Sequence, residues 1–176
     1  MSKADSEASQ RPDGIDARQA RTGKAGHANP LGLLVLGAAM LAAMLGLAGY
    51  EVERAVSGNG VTLAWHAPER IRNGEFFEMR ITVDTTQPIQ RLILGVDAGL
   101  WTDFTINTII PAAAEEISRD GEFRFDFGAL DSGHSLLVKV DAQINPDAWG
   151  GHAGTLTVYD GERPLTDLAL HIDVLP

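Results

Sequence analysis

Residues 136–144 read Leu-Leu-Val-Lys-Val-Asp-Ala-Gln-Ile. Leu136, Val138, Val140, Ala142 and Ile144 occupy every second position, with Leu137, Lys139, Asp141 and Gln143 between them. Successive side chains of a strand point to opposite faces, so this spacing gives one dry face and one wet face. The same period runs outward in both directions. It appears at Val61, Leu63 and Trp65; at Phe77, Met79, Ile81 and Val83; at Leu92, Leu94 and Val96; at Phe104 and Ile106; at Phe123, Phe125 and Phe127; at Leu156 and Val158; and at Leu168, Leu170, Ile172 and Val174.

Turn signals separate these runs: Asn73-Gly74, Gln87-Pro88, Asp120-Gly121, Asp131-Ser132-Gly133, Asn145-Pro146-Asp147 and Asp160-Gly161. Each joins a side chain that caps its own backbone to a residue that accepts or presets turn dihedrals. The pattern predicts an all-β fold over residues 61–176, an immunoglobulin-like antiparallel β-sandwich of about eight strands. Residues 111–118 are the least regular and read as a loop or as a strand crossing between sheets. On this reading Phe123, Phe125 and Phe127 are all buried between the sheets, while Arg124 lies on the wet face and contributes little.

Residues 125–140 read FDFGALDSGHSLLVKV. Gly128, Leu130 and Gly133 place a Gly-x-Leu-x-x-Gly pattern before a strand. The segment resembles the late strands of bacterial extracytoplasmic immunoglobulin-like modules of the CARDB and conserved-repeat type. The resemblance covers about a tenth of the chain. It implies the sandwich fold and carries no functional residues across.

Ahead of the strands, residues 31–49 read LGLLVLGAAMLAAMLGLAG, without a charge. As a helix rising about 1.5 Å per residue this run spans roughly 28 Å, close to the hydrocarbon thickness of a bilayer. Asn29 is placed to cap it and Pro30 suits its first position. Residues 30–50 therefore read as a transmembrane helix, with Tyr50 at headgroup level. The alternatives are a buried core helix and a cleaved signal peptide. Against the latter stand the length of the run and the polar stretch before it. Ala38, Ala42 and Gly46 recur every four residues, a spacing that suits helix–helix contact in lipid.

Residues 1–29 lack aromatic residues and read as a disordered tail. They hold Lys3, Arg11, Arg18, Arg21 and Lys24, whereas only Arg54 follows the run closely. Positive charge stays inside, which predicts a cytoplasmic tail and a periplasmic or extracellular C-terminal domain at the inner (plasma) membrane. Residues 51–60 read as a juxtamembrane linker, with Glu51 to Val56 extending the helix and Ser57-Gly58-Asn59-Gly60 breaking it.

The formal net charge is −10, and residues 51–176 alone carry nine basic and twenty acidic groups. An acidic outer domain is repelled by nucleic acid. The chain has no Cys, so disulfides, thioether lipidation and thiolate metal sites are all excluded. No residue pattern calls for a cofactor. No Ser sits in Gly-x-Ser-x-Gly, and His134-Ser135 and Glu115-Glu116 are strand neighbours that point apart. Asp141, Asn145 and Asp147 are oxygen-bearing turn residues that a Ca²⁺ site would use, and that solvated turns use as well.

Two loops hold the candidate binding residues: Trp101 and Asp103 in one, Trp149 in the other. A Trp in a loop either plugs an open end of the sandwich or presents a contact. The expected function is a single-pass, membrane-anchored, non-catalytic binding or assembly module of the bacterial envelope. It has the bilayer and a protein partner, or a second copy through the helix, as its contacts. An accessory or sensor subunit of a membrane complex is the alternative, and a secreted enzyme the remote one.

Overall fold

The computed structural model describes residues 29–46 and 50–176. The chain divides into two units, residues 1–47 and 48–176, each taken by itself. In the first, helix α1 covers Pro30–Gly46. Asn29 caps it as its sequence predicts: the Leu31 N–H donates to Asn29 Oδ1 and the Leu33 N–H to the Asn29 carbonyl, both at 3.0 Å. The helix has 17 residues, about 25 Å at about 1.5 Å each. Among the described residues no helix is long and apolar enough to cross a membrane. Residues 47–49 of the apolar run, and residues 1–28 of the expected tail, lie outside the described residues. Ala38 is exposed on α1; the side chains of Ala42 and Gly46 lie outside the described ones.

In the second unit the period-two runs form strands. In chain order these are β1 (Glu51–Gly58), β2 (Val61–Pro68), β3 (Arg70–Arg72), β4 (Phe76–Thr85), β5 (Ile89–Asp97), a one-turn helix α2 (Ala98–Trp101), β6 (Phe104–Ile110), β7 (Glu115–Arg119), β8 (Glu122–Leu130), β9 (Ser135–Ile144), β10 (Gly150–Asp160) and β11 (Arg163–Leu175). One sheet runs β1-β2-β4-β9-β6 and the other β3-β11-β10-β5-β8-β7. Pairing is antiparallel throughout except where β3 joins β11 in parallel. This is a two-sheet all-β sandwich.

The core is the set of inward positions that the period picked out. Leu63 and Trp65 of β2, Ile81 and Val83 of β4, Val138 and Ile144 of β9, and Leu156 and Ile172 of β10 and β11 are at most 3% exposed. The outer face of the second sheet is less wet than its alternation predicts. Ile93 is buried there, in a hollow it shares with Arg91 and Arg124.

Three readings are corrected. The described sandwich has eleven strands rather than about eight. The first addition is β1, expected as a linker or helix extension. Asn59 (φ 49°) and Gly60 (φ 73°) both adopt the left-handed region, which makes the pair a tight hairpin turn rather than a flexible break. Glu51 pairs with Pro68 and Gly58 with Val61, and only Val52, Val56 and Gly58 are half-buried, so the strand hides at a polar edge. The other two are the short β3 and β7, the latter realising the crossing that residues 111–118 allowed. Second, residues 51–56 are strand and not the helix extension expected of them. Third, Phe123, Phe125 and Phe127 are half-buried, not buried.

Replacing a fully buried leucine loses transfer energy and leaves a cavity. Leu63→Ala should therefore lower the denaturant stability of the full chain in mild detergent by about 2–5 kcal/mol. Leu137→Ala, on the opposite face and 44% exposed, should cost below about 1 kcal/mol. Equal losses would mean that the inward set is misread.

Candidate binding groove

The sandwich does not close on the side where β6 ends one sheet and β7 ends the other. The cause is the composition of β7. Its residues Glu116 and Ser118 stand beside Phe125 and Phe123 of β8, so the face it turns inward is polar. All five β7 residues are exposed. No apolar row from β7 covers the β8 phenylalanines, and a cavity of about 570 Å³ remains between the two edges.

Its lining grades from dry to wet. Trp101 and Phe104 are buried, Phe123, Phe125, Ile106 and Ile109 are half-buried, and Thr102, Asn107, Thr108, Ala112 and Glu116 are exposed at the rim. The Trp101 and Phe125 rings meet at 5.4 Å between centroids, and Phe104 takes an edge-on contact from Phe77 at 5.6 Å. The β6 wall has an irregular strand. Ile106 pairs with Ala142 and Thr108 with Asp141, so Asn107 is an extra residue, a β-bulge. The bulge shifts the alternation by one, which puts both Ile106 and Ile109 against the core and turns Ile110 out to 55% exposure. β6 pairs only with β9, and its other edge has no strand partner among the described residues.

Ion pairs on the outer side of the opposite wall hold it in place. Arg91 donates from Nε to Asp126 of β8 at 2.5 Å and from Nη2 to Glu115 of β7 at 2.8 Å. Glu115 and Glu116 thus point apart as strand neighbours should, one to the clamp and one to the groove. Arg124 pairs with Glu122 at 2.7 Å and Glu162 at 3.1 Å and lies 4.6 Å over the Tyr159 ring. The Tyr159 hydroxyl donates to Glu122 at 3.0 Å. Burial first, then Glu122, raises that phenol above its usual range. The cluster fits only over Gly95, where a Cβ would lie 2.8 Å from the Tyr159 ring. Arg124 lies on the outer face as its alternation with the phenylalanines predicts, and these contacts hold it there.

The structure brings the two Trp loops to one end of the sandwich but gives them opposite roles. Trp101, on α2, is 5% exposed and plugs that end. α2 packs closely because a Cβ at Gly154 of β10 would come within 2.8 Å of Leu100 Cβ. Asp103 is half-buried and faces His152 Nδ1 at 3.5 Å, and its carbonyl accepts from the Asn145 N–H. Trp149, by contrast, is 80% exposed. Trp101 Nε1 and His152 Nε2 are buried without a hydrogen-bond partner among the described residues. Sequence reasoning found Trp101 but missed Ile109, Glu116 and the half-buried phenylalanines. Among the described residues no group of three or more His, Asp or Glu is placed to hold a metal ion.

No family model matches the chain, and no curated protein matches it. Solved structures similar to it include the following three. The solution structure of CaCohA2 from Clostridium acetobutylicum has a TM-score of 0.42 at 16% identity, covering 67% of this chain and 92% of that one. A non-cellulosomal cohesin from the hyperthermophilic archaeon Archaeoglobus fulgidus has 0.39 at 9%, covering 70% and 91%. The ASH/PapD-like domain of human CEP192 has 0.34 at 12%, covering 66% and 84%. At these scores nothing about function passes from them to this chain.

The clamp that holds the groove wall has a definite pH dependence. Burial pushes the Asp126 carboxyl up, but the Gly128 N–H at 2.8 Å and Arg91 outweigh it and hold the group below the usual carboxylate range. A depressed carboxylate stabilises the fold above its unfolded pKa of about 3.9, and the contribution fades as pH falls through the folded value. The stability gap between the parent chain and Asp126→Asn should therefore be constant above about pH 5 and close below about pH 4. Denaturant midpoints across that range measure it, and a gap that widens on acidification would contradict the assignment.

Proposed function

We propose that this chain is a membrane-anchored, extracytoplasmic, non-catalytic binding module, and that the β6–β8 groove takes an extended segment of a partner protein. The observation that carries this reading is the groove itself: an aromatic-lined opening beside a strand edge without a strand partner among the described residues. An added strand would satisfy the β6 backbone groups, and alternate side chains would enter the groove. Glu116 at the rim and the acidic excess of residues 51–176 favour a segment that mixes apolar and basic residues.

The anchoring part is supported by the uncharged run at residues 31–49 and by the basic residues ahead of it, which favour a tail on the cytoplasmic side of the inner membrane. Within the bilayer, Ala38, Ala42 and Gly46 offer a face for a second helix, from a partner or from another copy. Trp101 serves binding as part of the groove wall, and Asp103 holds its loop to the Asn145 loop.

A photo-crosslinking residue in place of exposed Thr108 tests the groove, with one at Asp167 on β11 as control. In native membranes the Thr108 probe should capture a discrete protein through an extended apolar segment, Ile109→Asp should abolish that capture, and the Asp167 probe should not give it. Capture that is equal at both positions, or absent at Thr108, would overturn the groove reading.

A further inference from the structure

The β6–β8 groove has a direction. β5 enters α2 at Asp97, β8 begins beside it with Glu122 against Asp97, and β6 leaves from the same turn at Phe104. Trp101, Phe104 and Phe123 therefore mark the α2 end of the groove, which is aromatic. Phe125 lies two residues farther along β8, with Glu116 of β7 as its direct neighbour. Glu116 is the only charged residue among those that line the groove. It is exposed, and no ion pair among the described residues engages it, whereas its neighbour Glu115 is taken up by Arg91 at 2.8 Å.

This layout selects the order of side chains in an incoming strand. Residues two apart on a strand point to one face and lie about 7 Å from each other. That is also the step from the Phe123 level, where Ser118 stands, to the Phe125 level, where Glu116 stands. A strand that pairs with β6 and seats a large apolar side chain at the α2 end thus aims the side chain two positions away toward Glu116. Packed sheets lie about 10 Å apart, so only a long side chain crosses to β7. Lys and Arg do so with the stem along Phe125 and the charge at the carboxylate. The same charge at the α2 end would lose water among aromatic rings and meet no carboxylate of the lining, which is costly. β6 runs away from α2, and antiparallel pairing is the more stable per residue. A strand antiparallel to β6 runs toward α2 and passes the Glu116 level first.

Resting on the groove reading above, we propose that the segment bound there runs antiparallel to β6 and carries a Lys or Arg two residues ahead of a large apolar residue, the cation pairing with Glu116. Fluorescein-labelled, threonine-rich peptides test this. They carry Lys two residues ahead of Phe, the reverse order, or Glu in place of Lys, and each is titrated with the full chain in mild detergent. The Lys-first peptide should bind the parent chain most tightly. Glu116 is exposed, so its replacement leaves the fold in place. Glu116→Gln should weaken the Lys-first peptide by about two- to fivefold, the worth of one ion pair at a wet rim, and Glu116→Lys should transfer the preference to the Glu peptide. Ile109→Asp should remove binding of every peptide. Equal binding of the two orders, or a Lys preference that survives Glu116→Gln, overturns this inference, and either result leaves the groove reading intact as long as Ile109→Asp still removes binding. Peptides that do not bind, or that bind Ile109→Asp as they bind the parent while Glu116→Gln binds them normally, overturn the groove reading and this inference together.

Discussion

A two-sheet sandwich hides one face of each sheet against the other, and it can do so only where both sheets supply apolar side chains. Here the last strand of one sheet supplies Glu116 and Ser118. That polar row on β7 is the constraint on which the functional geometry depends. It leaves Phe123 and Phe125 half-covered, and it separates β7 from β6 so that the β6 edge faces open space. The bulge at Asn107 then determines which β6 side chains line the opening, by turning Ile109 in and Ile110 out. Arg91 keeps the wall upright from behind by joining β5, β8 and β7 through Asp126 and Glu115. The groove is therefore built from both sides rather than being a gap left by loose packing.

The core was legible in the sequence because burial on one face leaves a period of two, and runs such as Leu136 to Ile144 or Val61 to Trp65 carry that period without interruption. Edge strands leave no such trace. β1 and β7 pair on one side only and bury little, so polar residues suffice, and both read as connections. The Asn59-Gly60 pair did carry a hairpin signal, which the adjoining Ser57-Gly58 obscured. A bulge is likewise invisible to a periodic reading, because Asn107 shifts the phase in the middle of a seven-residue strand. Trp101 and Trp149 look alike in sequence. What separates them is tertiary: Gly154 lets α2 press Trp101 into the core, and no comparable recess receives Trp149. Arg124 shows the same limit, since its partners Glu162 and Tyr159 come from a distant hairpin.

The proposed activity follows from these features without any reacting group. An edge with unpaired backbone donors and acceptors tends to recruit a strand, and proteins commonly blunt such edges with charge or cover them. β7 is blunted in that way, with four of its five residues polar or charged. β6 is not: Phe104-Thr-Ile-Asn-Thr-Ile-Ile110 carries no charge and stands over an apolar groove. Leaving one edge adhesive while guarding the other is the arrangement expected of a docking strand. An acidic surface around it would discourage like-charged partners and favour a basic one.

Amide hydrogen exchange along β6 tests the central claim most directly. It should be followed in the full chain within its native membranes and again after purification in detergent. A partner strand seated on β6 predicts strong protection of the outward-facing amides between Phe104 and Ile110 in membranes, lost on purification, while the β2 and β9 amides stay protected in both. Unchanged exchange along β6, with a difference elsewhere or nowhere, would contradict it.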